Sequence, residues 1–287
     1  MFTELLEASV FQAIEMKNNN IYCVIVTFNP SEELLLKVTK SIKINTQNII
    51  IINNGKSINL FENQEFKKIE LINCNKNIGI ASAQNLGIQI AKSKGAEFIW
   101  LSDQDTIYPN SYILQMMHEF HEKKASIGKI CALAPAYFDT HKNSIQPFIT
   151  HNPLTKKFSP TKGINLISHS ISSGMIIPIK ALEEVGLMQE NLFIDWVDLE
   201  WCWRAKNIFG YQTIGNGDVI IQHILGDQHV KFLGKKVSFR SPIRHYYMVR
   251  NAVHIALHSR SATAPIRCEI FAKALAWTLI FPLIAPS

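Results

Sequence analysis

Several features that sort proteins into classes are scarce in this chain. Its 287 residues hold five cysteines (Cys23, Cys74, Cys131, Cys202 and Cys268), an odd number with no C-x-x-C pair. They lie mostly inside apolar runs, which is the pattern of reduced, buried thiols in a cytosolic protein and excludes a disulfide framework. Charged residues make up only 18% of the chain, and the 29 Lys and Arg against 23 Asp and Glu form no basic block and no aromatic-interleaved stripe. Nucleic acid is therefore disfavoured as a partner. The net charge of +6 points instead to a polyanion such as a nucleotide diphosphate, or to an anionic membrane face. No signal peptide is expected, because Glu4, Glu7 and Glu15 interrupt the apolar residues of the N-terminus. There is no internal repeat and no low-complexity linker. The apolar stretch Ile270–Ala285 falls short of the ~20 residues that a membrane-spanning helix needs.

What is present is an alternation of strand and helix patterns. Ile21–Thr27 and Ile49–Ile52 are β-branched apolar runs suited to strands covered on both faces, and Ile69–Asn73 and Glu97–Leu101 are further strands. Between them, helices are expected from Ser31, as N-cap, to Ile44, from Gly79 to Lys94 with Gly95 as the stop, and from Pro109 to Lys123. Strand–helix alternation implies a doubly wound, mostly parallel α/β sheet that binds ligands at the carboxyl ends of its strands. Polar residues cluster at those ends: Thr27 to Asn29, Asn53 and Asn54, Asn73 to Asn77, and Asp103 to Asp105.

After Ile130 the pattern becomes a mixed-sheet half. Short strands are expected over Ile130–Phe138, Ile145–Ile149, Asn165–His169, Ile171–Ile177, Tyr211–Ile214 and Asp218–Ile221. Helices follow over Pro178–Val185, Leu199–Phe209 and Ser241–His258. Met1–Met16 has amphipathic helical spacing. The expected division is an N-terminal preface over 1–20, a domain over 21–239 split into halves 21–128 and 129–239, and a C-terminal helical segment over 240–287. The apolar end of that segment suits an interfacial helix or core packing.

Three constellations carry chemistry. In Ser102-Asp-Gln-Asp105, two carboxylates follow a strand with one residue between them, so they project to the same side and repel unless a cation sits between them. Hard oxygen ligands with open positions suit Mg²⁺ or Mn²⁺, which can also hold a diphosphate; the plainer reading is a solvated turn. Around Phe193–Arg204, Asp195, Asp198 and Glu200 crowd aromatic residues. Asp198 could cap the following helix, or a carboxylate in apolar surroundings could act as a general base, with Trp196, Trp201 and Trp203 walling a sugar site. His223 follows an apolar strand and is either a packed residue or a third ligand beside Asp105.

The chain resembles family 2 glycosyltransferases of the GT-A fold, and the bacterial rhamnosyltransferases in particular. The resemblance rests on Val24-Ile-Val-Thr-Phe-Asn-Pro30, Asn53-Asn-Gly-Lys-Ser57, Asn77–Gly87, Trp100-Leu-Ser-Asp-Gln-Asp105, Ser172-Ser-Gly-Met175, Phe193–Arg204, His223-Ile-Leu-Gly-Asp227 and Tyr246-Tyr-Met-Val-Arg-Asn251. The D-Q-D form and the F-I-D-x-V-D-x-E-W-C-x-R stretch are the most specific of these.

The resemblance implies that Thr27 and Asn29 line the donor base and ribose, and that Asn53 stands where the family usually has an Asp pairing with the pyrimidine. Asn77, Gly79 and Asn85 would border the nucleotide. Asp103, with Gln104 beside it, would lie near ribose and metal, Asp105 and His223 would hold Mg²⁺ or Mn²⁺, and Ser173 and Gly174 would floor the sugar. Asp198 aligns with the catalytic base, Asp195 is a second candidate, and Glu200 and Arg204 would support the base. The implied donor is dTDP-L-rhamnose and the acceptor a lipid-linked glycan, used with inversion at the cytoplasmic face of the inner membrane. Two alternatives compete: a sugar-1-phosphate nucleotidyltransferase, which should carry a Gly-rich loop and a basic residue after the first strand, and a non-catalytic sugar-binding protein.

Overall fold

A computed structural model describes residues 20–59, 66, 69–223, 228–232, 235–239 and 241–284. The amphipathic preface, Gly226, Asp227, Arg240 and the last three residues lie outside the described residues.

The element order is β1 (Ile21–Thr27), α1 (Glu32–Lys43), β2 (Ile49–Asn53), β3 (Glu70–Asn73), α2 (Ile80–Ser93), β4 (Phe98–Asp103), β5 (Thr106–Ile107) and α3 (Tyr112–Ile127). Then come β6 (Ile130–Asp139), β7 (Ser144–Ile145), β8 (Phe148–His151), β9 (Thr155–Phe158), β10 (Ile164–Ile167), β11 (Ile176–Pro178) and α4 (Ile179–Val185). The chain continues through α5 (Val197–Phe209), β12 (Gln212–His223), β13 (Gln228–Phe232), β14 (Lys235–Phe239), α6 (Pro242–His258) and α7 (Ala264–Ile284).

The main sheet runs β10-β12-β6-β11-β4-β1-β2-β3, with β5 on β12 and β7 on β6. β3, β2, β1 and β4 are parallel, as a run of right-handed crossovers requires. The other side is mixed: β11 is antiparallel to β4 and β6, and β10 to β12, while β12 is parallel to β6. Register aligns the strand ends that matter. Thr27 pairs with Asn53, Asn53 with Asn73, and Val26 with Asp103.

Strands this apolar need cover on both faces. Leu35, Val38 and Ile42 of α1 and Tyr112, Met116 and Phe120 of α3 bury one face. The other is covered by Ala81 and Ile88 of α2, Leu182 of α4, Trp201 of α5, Ile255 of α6 and Ile270 of α7 in one continuous core. Trp201 and Trp203 are 0% and 3% exposed, with their indole N–H groups bonded to Gly186 O and His169 Nδ1. They are core residues and do not wall a sugar site.

Helix starts differ from expectation at two places. Ser31 occupies the N-cap of α1, but its side chain makes no cap bond. α5 begins at Val197 with Trp196 as its N-cap, which places Asp198 inside the first turn and frees it from a capping role. The C-terminal apolar run belongs to a 21-residue helix that also carries Arg267, Glu269 and Lys273. Among the described residues, no helix is long and apolar enough to cross a membrane.

Candidate active site

β4 ends at Asp103, and β5 pairs antiparallel with the end of β12, where Thr106 lies opposite His223. That pairing carries His223 to the two acids. Its Nε2 is 3.5 Å from Asp103 Oδ2 and 3.5 Å from Asp105 Oδ1. One ligand atom from each of the three residues fits within a span of 4.8 Å, so the three expected metal ligands do come together. The Nδ1 of His223 has no hydrogen-bond partner, and the Nε2 contacts are too long for good hydrogen bonds. Two carboxylates and one imidazole converging at these distances fit a small oxygen-preferring divalent ion.

The electrostatics agree with a cation-seeking centre. Burial alone would lower the His223 pKa, yet Asp103 and Asp105 raise it overall, so the ring favours the positive charge the acids demand. Burial likewise opposes ionisation of Asp103, but His223, the Ser173 hydroxyl and the more distant Arg244 guanidinium together hold its pKa below the ordinary carboxylate value.

The turn before β11 links this centre to a third acid. Ser173 Oγ donates to Asp103 Oδ2, and the backbone N–H of Ser172 donates to Asp198 Oδ2 at 2.9 Å. Gly174, at φ +81°, closes the turn by donating its N–H to Leu101 O at 2.9 Å. Asp198 Oδ1 also accepts from Leu199 N at 3.0 Å. Removal from bulk water pushes the Asp198 pKa up to about 6, with the nearby Asp103 charge adding to the rise and the two N–H bonds opposing it. A carboxyl group so tuned exchanges protons near neutral pH.

Asp195 is placed differently. Arg244 of α6 grips its two oxygens from Nε and Nη2, both at 3.2 Å. Glu200 is fully buried, accepting from Arg204 Nε at 3.1 Å and from Gln189 Nε2 at 3.0 Å. Arg204 also donates to Val185 O and Leu187 O. Its fork thus ties α5 to the end of α4, and its donors are committed there instead of to a nucleotide.

The donor edge departs further from expectation. Thr27 and Asn53 are 1% and 0% exposed, and Thr27 Oγ1 donates to Asn53 Oδ1 at 3.2 Å. The Asn53 amide donates to Asn73 Oδ1 at 2.7 Å and Lys56 O at 2.6 Å. Asn85 is also buried, and its carboxamide clamps the backbone of Met188 and the side chain of Glu190. These three side chains thus hold neighbouring loops through internal bonds. Asn77 Oδ1 accepts from Asn54 and from Gly79 N, both at 3.0 Å. Gly79, at φ +85°, is required by space as well as angle, since a Cβ there would lie 2.6 Å from the Phe193 ring. Gln104 bonds both the N–H and the carbonyl of Phe28, tying the β1 loop to the β4 loop. Asn29 is exposed at that edge with φ +46°.

Two contacts had no signal in the sequence. Ser172 acts through its backbone N–H, which any residue type supplies. The Asp195–Arg244 pair joins residues 49 positions apart.

Comparison with known proteins fits this geometry. The chain is 36% identical over 240 residues to the dTDP-rhamnosyl transferase RfbF of Shigella flexneri, covering 82% of this chain and 79% of that one. In structure it resembles S. aureus TarS 1–349 in complex with UDP-GlcNAc, with a TM-score of 0.58 at 14% identity over 93% of this chain and 76% of that one. It also resembles GalNAc-T7 crystallised with UDP, GalNAc and Mn²⁺, with a TM-score of 0.57 at 12% identity over 91% of this chain and 57% of that one. Both share the GT-A fold of this chain. The pattern of Glycosyl transferase family 2 matches residues 22–186, which includes the D-Q-D strand end and the Ser172–Gly174 turn, and the chain belongs to that family of glycosyltransferases.

Proposed function

We propose that the protein is an inverting, metal-dependent rhamnosyltransferase that uses dTDP-L-rhamnose. The observation that carries this reading is the single turn that holds both kinds of acid: Ser172 N–H on Asp198 and Ser173 Oγ on Asp103. A base and a metal-side carboxylate are thus fixed by adjacent residues of one turn. The donor identity draws support from the likeness to the Shigella flexneri dTDP-rhamnosyl transferase.

Asp103, Asp105 and His223 would hold Mg²⁺ or Mn²⁺. When bound, the ion supplies positive charge against the diphosphate that leaves the sugar. Asp198 accepts the proton of an acceptor hydroxyl. The freed oxygen attacks the anomeric carbon from the face opposite the diphosphate, the bond to the diphosphate oxygen breaks with its electron pair, and configuration inverts. Ser172 and Leu199 N–H groups orient the Asp198 oxygens and keep the anion from being lost to burial. Asp198 is preferred over Asp195 as the base because the Arg244 fork engages both Asp195 oxygens. The test is a panel of nucleotide sugars with Mg²⁺ or Mn²⁺, read as nucleoside diphosphate release. Turnover of dTDP-L-rhamnose alone is expected; release from a different donor, or none without regard to metal, contradicts the assignment.

We also propose that the C-terminal helices attach the enzyme to an anionic cytoplasmic membrane face, where a lipid-linked glycan acceptor would be presented. Residues 241–284 carry Arg244, Arg250, Arg260, Arg267 and Lys273 against Glu269 alone. Phe271, Leu275 and Leu279 recur at four-residue spacing on α7 and are all exposed, Leu279 at 73%. A basic segment with an apolar outer stripe suits an interfacial helix.

A further inference from the structure

We infer that Asn251 of α6 is a positioning residue for Asp198, acting through the backbone of residues 192–196. The inference rests on the reading of Asp198 as the base. That loop is held in an unusual shape: Phe193, Asp195 and Trp196 have φ of +63°, +60° and +69°, a region L side chains rarely adopt. A backbone in such a conformation persists only when its surroundings over-determine it.

Here the surroundings do so by hydrogen bonding four consecutive carbonyls from outside the loop. Asn251 Nδ2 donates to Leu192 O at 2.6 Å, Ile194 O at 2.8 Å and Asp195 O at 3.1 Å. The remaining carbonyl, Phe193 O, accepts from Ile80 N at the start of α2 at 2.6 Å. Asn251 is itself fully buried, and its Oδ1 accepts from Arg250 Nε at 3.0 Å. Arg250 lies over the Tyr247 ring at 4.6 Å, Tyr247 stacks on Phe193 with centroids 4.5 Å apart, and Trp196 Nε1 donates to Met248 O at 3.0 Å.

The consequence reaches Asp198 through helix α5. Trp196 O accepts from Glu200 N at 2.8 Å, so the first hydrogen bond of α5 starts from the last residue of the clamped loop. Asp198 sits in that first turn. Where the loop lies therefore decides whether the Asp198 carboxylate meets Ser172 N–H, in the turn whose Ser173 holds Asp103. No side chain other than an amide of this length offers two N–H groups to three carbonyls while accepting a guanidinium on its other atom.

The experiment is a double-mutant cycle on the full chain with Asn251→Ala, Asp198→Asn and the pair, read as kcat for dTDP release from dTDP-L-rhamnose and as dTDP affinity in Mg²⁺. Asn251→Ala is expected to lower kcat roughly 10²-fold, the scale of a small misplacement of a reacting group, with dTDP affinity within a few-fold of wild type. If Asn251 works through Asp198, the double variant is no slower than Asp198→Asn alone, whereas an independent structural role multiplies the two losses. Asn251→Ser, which keeps one donor, should recover part of the rate. Multiplying losses, a wild-type rate in Asn251→Ala, or loss of dTDP binding in both the Ala and Ser variants overturns the proposal. A wild-type rate in Asp198→Asn instead sinks the base assignment, so the two failures are told apart by which single variant stays active.

Discussion

The polar residues along the carboxyl edge of the sheet form two groups that behave in opposite ways. On the β1-β2-β3 side, Thr27, Asn53, Asn73 and Lys56 satisfy one another, and Asn54 and Asn77 do the same. On the β4-β12 side, Asp103, Asp105 and His223 converge, and Asp198 is held by the neighbouring turn with its pKa pushed up to about 6. The first group is neutral amides and hydroxyls whose donors and acceptors can be matched inside the protein. The second is three acids and one imidazole, and an acid cannot be matched by a neighbouring acid but needs a cation, a proton or a substrate. Scaffold and chemistry are thus separated along one edge by the type of polar group used.

The sharpest way to break that contrast is to remove a key side-chain group from each side in turn. Asp198→Asn keeps shape but cannot take a proton, and kcat is expected to fall by roughly 10²–10⁴; a wild-type rate would move the base to Asp195. Next in size, the acid limb of kcat should follow Asp198. A base with a pKa of about 6 is active only when deprotonated, so the rate should drop about tenfold between pH 7 and pH 5. A flat profile down to pH 4.5 would contradict the tuning.

On the scaffold side, Asn53→Ala should remove the partner of Thr27 Oγ1 and Lys56 O and one of the two donors on Asn73 Oδ1. Stability is expected to fall by about 1–3 kcal/mol, read by urea unfolding, with kcat changed only a few-fold. A large rise in donor KM with unchanged stability would return Asn53 to the donor site. The smallest effect concerns the membrane proposal. Deleting residues from Ile270 onward should weaken sedimentation with anionic liposomes, and high salt should release part of the full chain. Full-length protein that stays in the supernatant at low salt would assign α7 to core packing alone.

Much of this arrangement was legible in the sequence, for identifiable reasons. β1 and β2 lie where continuous β-branched runs placed them, because a strand buried on both faces leaves no other reading of such a run. The D-Q-D pair is a solvated turn on the plainer reading, and its place among the polar strand ends and the family resemblance singled it out; the structure brings it together with His223. Other parts were hidden. Two short strands are expected over Tyr211–Ile214 and Asp218–Ile221, yet β12 runs from Gln212 to His223 with a register shift between Asn216 and Ile220. Gly215 is there for space, since a Cβ would lie 2.6 Å from the Phe148 ring. Residues 171–175 read as strand, but the Ser172–Gly174 segment is a turn whose N–H and hydroxyl groups are taken by Asp198, Leu101 and Asp103. Thr27, Asn53 and Asn85 carry the residue types of a donor site, and only the structure shows that their atoms are matched internally. Long-range partners, such as Arg244 for Asp195 and Asn251 for the loop before α5, leave no local pattern.

The most direct test of the division of labour is calorimetric titration of dTDP in Mg²⁺ into Asp105→Ala and Asp198→Asn, side by side. The account predicts that Asp105→Ala loses metal-dependent binding while Asp198→Asn binds as the wild type does. Unchanged binding in Asp105→Ala, or equal loss in both variants, would contradict it.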